Sequence, residues 1–185
     1  MAVTFPIISP ADGEVLDPAW CSDVTEAVNT LRTDTDGLEL QLRPQSAYSA
    51  SASSAIGTTI TAILTLTGCV LTTGRAYSVE NVGGVVADTT GRYADFALFK
   101  TSTAGTQLAA FFRTPQVGGP GVQTNCYGKV YIRNSTAANL TFDLVLSIVA
   151  SAGTVTHYAT STFLRSLVVT DVGAATDWPL AFAVT

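Results

Sequence analysis

The sequence is poor in charged residues, histidine and methionine. Only 12% of its 185 residues are charged, about half of the ~25% that is usual in globular proteins. The chain has one His and one Met, which excludes a metal site built from several His residues of a single chain. Its net charge of −5 argues against nucleic acid or an anionic membrane as a partner, because both require clustered cations.

Cysteine is also scarce. Cys21, Cys69 and Cys126 are widely spaced, odd in number and without a CxxC pair, so we interpret them as reduced, mostly buried thiols. Reduced thiols fit synthesis in a cytoplasm. Residues 1–10 lack the basic stretch of a signal peptide, and no apolar run approaches the ~20 residues of a membrane-spanning helix. The sequence therefore predicts neither a signal peptide nor a membrane-spanning helix.

Apolar residues are present in ordinary amount, but from residue 59 onwards they fall in short runs separated by turn-forming residues. These runs predict strands, with no helical period between them. The strands are expected at 59–67, 75–82, 93–100, 107–113, 122–133, 140–150, 154–161 and 163–172. Eight strands in two sheets indicate a mainly β protein with a jelly-roll-like antiparallel β-sandwich; an immunoglobulin-type sandwich is the second possibility.

An extended arm is expected at the beginning of the sequence. Pro6 and Pro10 disfavour a helix in the first sixteen residues. The apolar side chains of this arm, including Phe5 and Ile7, need a covering surface. In a small domain, that surface is often supplied by a neighbouring subunit.

A short helix is expected to follow, beginning at Asp17-Pro18, which suits an N-cap and a first helical position. Apolar residues then recur at the spacings of a coiled-coil seam. These residues are Trp20, Val24, Ala27 and Leu31, with Val28 widening the stripe. A helix this short is marginal alone, so it either packs on its own domain or joins identical chains in a parallel bundle. The candidate oligomerisation and attachment residues are therefore Phe5, Ile7, Trp20, Val24, Ala27, Val28 and Leu31.

A Ser/Ala-rich stretch at residues 45–58, QSAYSASASSAIGT, separates the helix from the strands. Its small, nearly uncharged side chains are typical of a linker or a lightly anchored extended segment. The predicted organisation is an arm and helix at 1–44, a linker at 45–58 and a β-sandwich domain at 59–185.

No residue pattern indicates catalysis. His157 lies in a predicted strand without a nucleophile motif, so we interpret it as a structural or surface residue. Asp95 and Asp143 would need to lie ~5–10 Å apart to form a glycosidase pair. Strand aromatics such as Tyr131, together with Trp178, could form a sugar-binding platform, but such residues more often serve cores or interfaces. We predict a protein that is not an enzyme, with no catalytic residue, metal site or cofactor.

Several segments resemble structural proteins of tailed phages, especially phages of actinobacteria. LDPAWCSDVTEAVNTL resembles their N-terminal segments. GRAYSVENVGGVVAD, FALFKTSTAGTQLA and FLRSLVVTDVGAA are similar to a recurrent β-domain of phage head-fibre, decoration and tail-associated proteins. In that domain the last strand ends in an acidic residue, a small apolar residue and Gly, here Asp171-Val172-Gly173. The resemblance implies a trimeric virion structural protein with a jelly-roll-like domain, and it brings no catalytic residues.

These observations predict a non-enzymatic virion structural protein of a tailed phage, of the capsid-surface fibre or decoration type. Its N-terminal segment is expected to anchor it, and the chain is expected to form a homotrimer. The expected partners are copies of the chain itself and other virion proteins, above all the major capsid protein, with a host-surface glycan as a further candidate. The alternative is a tail- or neck-associated fibre protein with a receptor- or carbohydrate-binding β-domain. The expected location is the virion, after synthesis in the host cytoplasm.

Overall fold

A computed structural model of the chain describes residues 26–30, 44–115 and 120–185. The chain divides into two units, Met1–Leu42 and Arg43–Thr185. In the first unit the described residues, 26–30, are α-helical and fall within the predicted helix. The rest of the predicted arm and helix lies outside the described residues.

The described part of the second unit consists of strands and a single 3-10 turn, Ala175–Asp177. The strands are β1 (Gln45–Ser49), β2 (Thr61–Leu71), β3 (Arg75–Ala87), β4 (Ala94–Lys100), β5 (Gln107–Arg113), β6 (Gln123–Asn134), β7 (Leu140–Ala150), β8 (Val155–Tyr158), β9 (Arg165–Ala174) and β10 (Phe182–Val184). The eight predicted strands are therefore all present, but β2 and β3 extend four and five residues further than predicted, to Leu71 and Ala87, and β8 ends three residues earlier, at Tyr158. The short strands β1 and β10 were not predicted.

These strands form two sheets within the described residues. Sheet A has the order β1-β9-β3-β6-β10, with β8 also paired to β3, and sheet B has the order β2-β7-β4-β5. Strand β1 pairs with β9, β2 with β7, β3 with β6 and β4 with β5, all antiparallel. The first of these strands in the sequence thus pairs with one of the last, and each following strand pairs with a correspondingly earlier one, down to the hairpin of β4 and β5. This nested pairing is characteristic of a jelly roll. The predicted jelly-roll-like β-sandwich is thus confirmed.

The core lies between the two sheets and follows from alternation along the strands. On β7, Leu144, Leu146 and Ile148 are fully buried and meet buried residues of β4 such as Phe96 and Leu98 in one cluster. Successive side chains of a strand point to opposite faces, so every second residue along the strand enters the core. Burial of each such side chain contributes ~1.5–3 kcal/mol relative to exposure.

The segment 45–58 belongs to the sandwich, so its interpretation as a linker is wrong, whereas the alternative of an extended segment agrees with the strand at Gln45–Ser49. Gln45–Ser49 pairs with β9, and the Gln45 amide exchanges two hydrogen bonds of 2.8 Å with the Val70 backbone. Ile56 is 2% exposed and exchanges backbone hydrogen bonds of 2.8 and 2.9 Å with Val155. Composition does not reveal this packing, because the segment is held by main-chain hydrogen bonds and one buried isoleucine rather than by a run of apolar side chains.

The carboxylate of Asp171, near the C-terminal end of β9, is buried. Asp171 has a side chain 1% exposed, and it accepts hydrogen bonds from Arg75 Nη2 and Nε at 2.6 and 2.9 Å. Its Oδ1 also accepts the Gly173 amide at 2.9 Å. Gly173 has a φ of +120°, a conformation that favours glycine. The acidic–apolar–Gly pattern at the end of the last long strand therefore has a structural cause.

Replacing Asp171 by Ala should lower the free energy of unfolding by about 2 kcal/mol, because hydrogen bonds to charged groups contribute ~1.5–3 kcal/mol. Urea denaturation followed by fluorescence would measure the loss. The control is Asp95→Ala, which breaks the solvent-exposed ion pair with Arg113 (2.6 Å) and should cost much less because water screens that pair. Equal losses in the two variants would contradict the role given to Asp171.

Candidate interaction surface

His157 is a core residue. It is fully buried, its ring packs edge-on against Phe96 with centroids 5.4 Å apart, and its Nε2 lies 3.9 Å from the Cys126 sulfur. Burial, assisted by the charge of Arg165, lowers the pKa of His157 to about 3. A Cβ at Gly83 would overlap the imidazole, so the glycine is required by this packing. The structural interpretation of His157 is confirmed.

The two carboxylates considered as a glycosidase pair are not brought together. Asp95 is bound by Arg113 through Nε and Nη2 at 2.6 and 2.9 Å, and Asp143 accepts the Gly68 amide at 2.9 Å. Asp95 lies opposite Val149, six residues along β7 from Asp143. That offset amounts to roughly 20 Å along a strand, about twice the upper limit of ~10 Å for a catalytic pair.

Cys69 and Cys126 are free and buried, as predicted; Cys21 lies outside the described residues. Burial raises the pKa of each thiol to about 12. Both sulfurs therefore stay protonated at neutral pH and behave as small apolar groups rather than as nucleophiles.

The strand aromatics do not share one platform. Tyr77 is buried, and its hydroxyl accepts the Thr72 amide at 2.7 Å. Tyr131 and Trp178 stack on each other with centroids 4.4 Å apart, and the Trp178 indole donates to the Val172 carbonyl at 3.2 Å. A face of each ring and the polar edge of the indole are thus occupied within the chain. This arrangement favours a contact surface over a sugar platform.

An apolar depression lies where β6 meets the C-terminal segment. It is formed by residues 129–131 and 177–182 and has a volume of about 460 Å³; we call it the C-terminal pocket. Leu180 is 96% exposed and Phe182 46% exposed beside it. Large apolar side chains left in water at one place indicate a binding surface. The sequence indicated Tyr131 and Trp178 as sugar contacts or as core or interface residues, and it gave no signal for Leu180 and Phe182.

A second group of exposed residues crosses the outer face of sheet A in one row. Tyr48 lies opposite Ser166, Ser166 opposite Val82 and Val82 opposite Tyr127; Tyr48, Val82 and Tyr127 are all exposed. We call these four residues the tyrosine row. Tyr127 and Tyr131 lie four residues apart on the same face of β6, and the Lys129–Glu80 ion pair lies between the row and the C-terminal pocket.

Of the predicted oligomerisation residues, Ala27 is half-buried and Val28 exposed; the other five, Phe5, Ile7, Trp20, Val24 and Leu31, lie outside the described residues. Among the described residues, no group of three or more His, Cys, Asp or Glu side chains could hold a metal ion. The helical residues described do not make a helix long and apolar enough to cross a membrane.

No protein-family model matches the sequence, and no curated protein matches it either. Solved structures of infectious bursal disease virus are similar in fold. Its VP2 subviral particle matches at 13% identity over 76% of this chain and 35% of that chain, with a TM-score of 0.42. The Gx strain matches at 12% identity over 71% of this chain and 32% of that chain, with a TM-score of 0.41. The chain thus spans about a third of the length of these solved virus chains.

Proposed function

We propose that the chain is a non-enzymatic structural protein of a virion, which acts by associating with copies of itself and with other virion proteins. The observation that carries this proposal is the exposed apolar surface formed by the C-terminal pocket and the tyrosine row. Leu180 and Phe182 line this pocket, and large apolar side chains left in water at one place mark an interface. The groups first considered for chemistry have structural partners instead, since His157 is packed in the core and Asp95 is bound by Arg113.

The finer form of the proposal is a capsid-surface fibre or decoration protein of a tailed phage, anchored by its N-terminal segment and trimeric. The segments that resemble phage proteins support it, because they include much of β3, β4 and β9 in the jelly roll. The Asp171-Val172-Gly173 pattern among them has a defined structural role, the contacts with Arg75 and Gly173. A tail- or neck-associated receptor-binding role is the alternative, and it is tested by the same localisation.

The location of the protein in the intact particle tests the proposed function. Antibody labelling and cryo-electron microscopy of purified particles should find the protein on the capsid surface, in groups of three around a local three-fold axis. Labelling confined to the tail or neck would favour the alternative. Complete absence from purified particles would overturn the virion role.

The apolar stripe of the helix gives a prediction about assembly. Val24→Asp should weaken self-association and attachment to particles while leaving the β-sandwich folded, because a buried unpaired charge in a helix seam is strongly unfavourable. Light scattering should change from about three chain masses to one, with an unchanged β-type circular dichroism spectrum. Ser22→Asp, which adds the same charge away from the stripe, is the control. Normal association of the Val24→Asp protein would refute the hypothesis that the apolar stripe of the helix joins the chains.

A further inference from the structure

One edge of sheet A is unpaired over most of its length in the part of the chain that the structure describes. Strand β6 pairs with β3 along Gln123–Arg133 on one side. On its other side β10 covers only Ile132–Asn134, and none of the described strands pairs with 123–131 there. An unpaired edge presents free N–H and C=O groups and is a template for a further strand.

The usual protections of an edge strand are weak along β6. Its pairing with β3 runs without a register shift, so no bulge twists this edge away. The charge of Lys129 is engaged by Glu80 of the neighbouring strand at 2.7 Å. Residues 124–131 contain no proline. This regular edge is therefore suited to accept a strand.

The C-terminal pocket lies beside this edge and would hold side chains of an added strand. Its lining includes Val130 and Tyr131 of β6 and Leu180 and Phe182 next to or within β10. The volume of about 460 Å³ is within the ~300–1,000 Å³ of ordinary binding pockets. Main-chain bonds along β6 and side-chain burial in the pocket would together supply affinity and register.

The N-terminal arm has the properties that such an occupant needs. In Val3–Ile8, Val3, Phe5 and Ile7 alternate with Thr4 and Pro6, so three apolar side chains share one face of an extended strand. Proline is tolerated in a sheet only where its missing N–H faces away from the ladder, as on an edge strand. Six residues extend about 20 Å, and the open edge of nine residues about 30 Å, so the segment fits.

We propose that Val3–Ile8 of one copy adds to the open edge of β6 in a neighbouring copy, with Phe5 in the C-terminal pocket. This inference rests on the self-association in the proposed function and names its partner and site. Each copy then donates one arm and receives one. Such head-to-tail contacts close into a ring of three when the rotation between copies is 120°.

Charge variants of the full chain test the contact from both sides. The arm variant carries Phe5→Asp and Ile7→Asp, and the pocket variant carries Leu180→Asp, at a side chain that is 96% exposed. Each should reduce the association constant, measured by sedimentation equilibrium, by at least a hundredfold. The controls are Thr4→Asp with Ser9→Asp in the arm and Ala137→Asp in the exposed β6–β7 turn. Association of either test variant as tight as that of its control would overturn the proposal.

Mixing the two variants separates exchange between copies from docking within one chain. The arm variant keeps an intact pocket and the pocket variant keeps an intact arm, so the mixture should form heterodimers that neither protein forms alone. Failure of the mixture to associate would overturn arm exchange. If the mixture associates but the protein is absent from purified particles, arm exchange is supported and the virion role is overturned. The two proposals can therefore fail separately.

Hydrogen exchange gives a direct readout at the edge itself. A synthetic peptide of residues 1–10, added to the arm variant of the full chain, should slow exchange of amides within 123–131 at least tenfold. The same peptide with Phe5→Asp and Ile7→Asp is the control and should leave the rates unchanged. Protection elsewhere with no change along 123–131 would overturn the assignment of the site.

Discussion

Acidification below pH 6.5 should cost this protein about 1.4 kcal/mol of folding stability per pH unit. The cause is His157, whose pKa burial lowers from 6.5 to about 3 in the folded chain. Between these two values the unfolded chain binds a proton that the folded chain does not, so stability is full above pH 6.5 and falls as the pH decreases. By pH 4.5 the loss should reach about 2.7 kcal/mol, and near pH 3 it should reach about 4.4 kcal/mol.

The positive charge of Arg165 near His157 also disfavours protonation of the imidazole. Arg165 further lowers the pKa of the imidazole, while the Cys126 thiol next to Nε2 is neutral because burial raises its pKa to about 12. The chain has a single His, and no other type of side chain ordinarily changes charge between pH 5 and 8. A slope in this window can therefore be assigned to one residue.

Urea denaturation between pH 4.5 and 7.5 would measure this slope. The window lies at or above the ordinary carboxyl pKa values, so the lowered pKa values of Glu80 and Asp88 contribute little to it. His157→Gln cannot gain the proton and should show a nearly flat profile, whatever its stability at neutral pH. A slope in His157→Gln as steep as that of the natural sequence would contradict the assignment.

Phe96→Ala should lower the free energy of unfolding by about 3–5 kcal/mol, the cost of opening a cavity by removing a buried phenylalanine. The ring is 2% exposed and stacks on Phe112 with centroids 4.4 Å apart and planes at 9°. It also supports the edge of His157. The truncation therefore removes contacts to β5 and to β8 at once.

Phe112→Ala is the matched control, since Phe112 is only half-buried and its removal should cost less. The Phe96→Ala cavity should also admit water near His157 and raise its pKa, which makes the loss of stability with acid less steep. Thermal and urea unfolding at pH 5 and pH 7 would measure both effects. An unchanged stability, or a cost below that of Phe112→Ala, would show that Phe96 does not hold the two sheets together.

Eight of the ten described strands and the class of fold follow from the sequence alone. Alternation along β7, from Leu140 to Ile148, and the glycine-containing turns before β3 and β6 are local signals, because a strand's two faces follow from a period of two residues. Local signals also predicted a structural or surface role for His157, which the structure buries in the core, and buried thiols, as found for Cys69 and Cys126. The resemblance to phage proteins singled out Asp171-Val172-Gly173, and the hydrogen bonds of Asp171 with Arg75 and the Gly173 amide explain that pattern.

The contacts between segments that are distant in the sequence follow from the tertiary structure. Gln45–Ser49 is poor in apolar side chains, and its place in sheet A depends on backbone bonds to β9, which composition does not register. The C-terminal pocket exists because Phe182–Val184 pairs in parallel with the end of β6 and so brings Leu180 beside Tyr131. Hydrophobic periodicity specifies the buried face of a strand, whereas the neighbour of each strand is set by the packing of the whole sandwich.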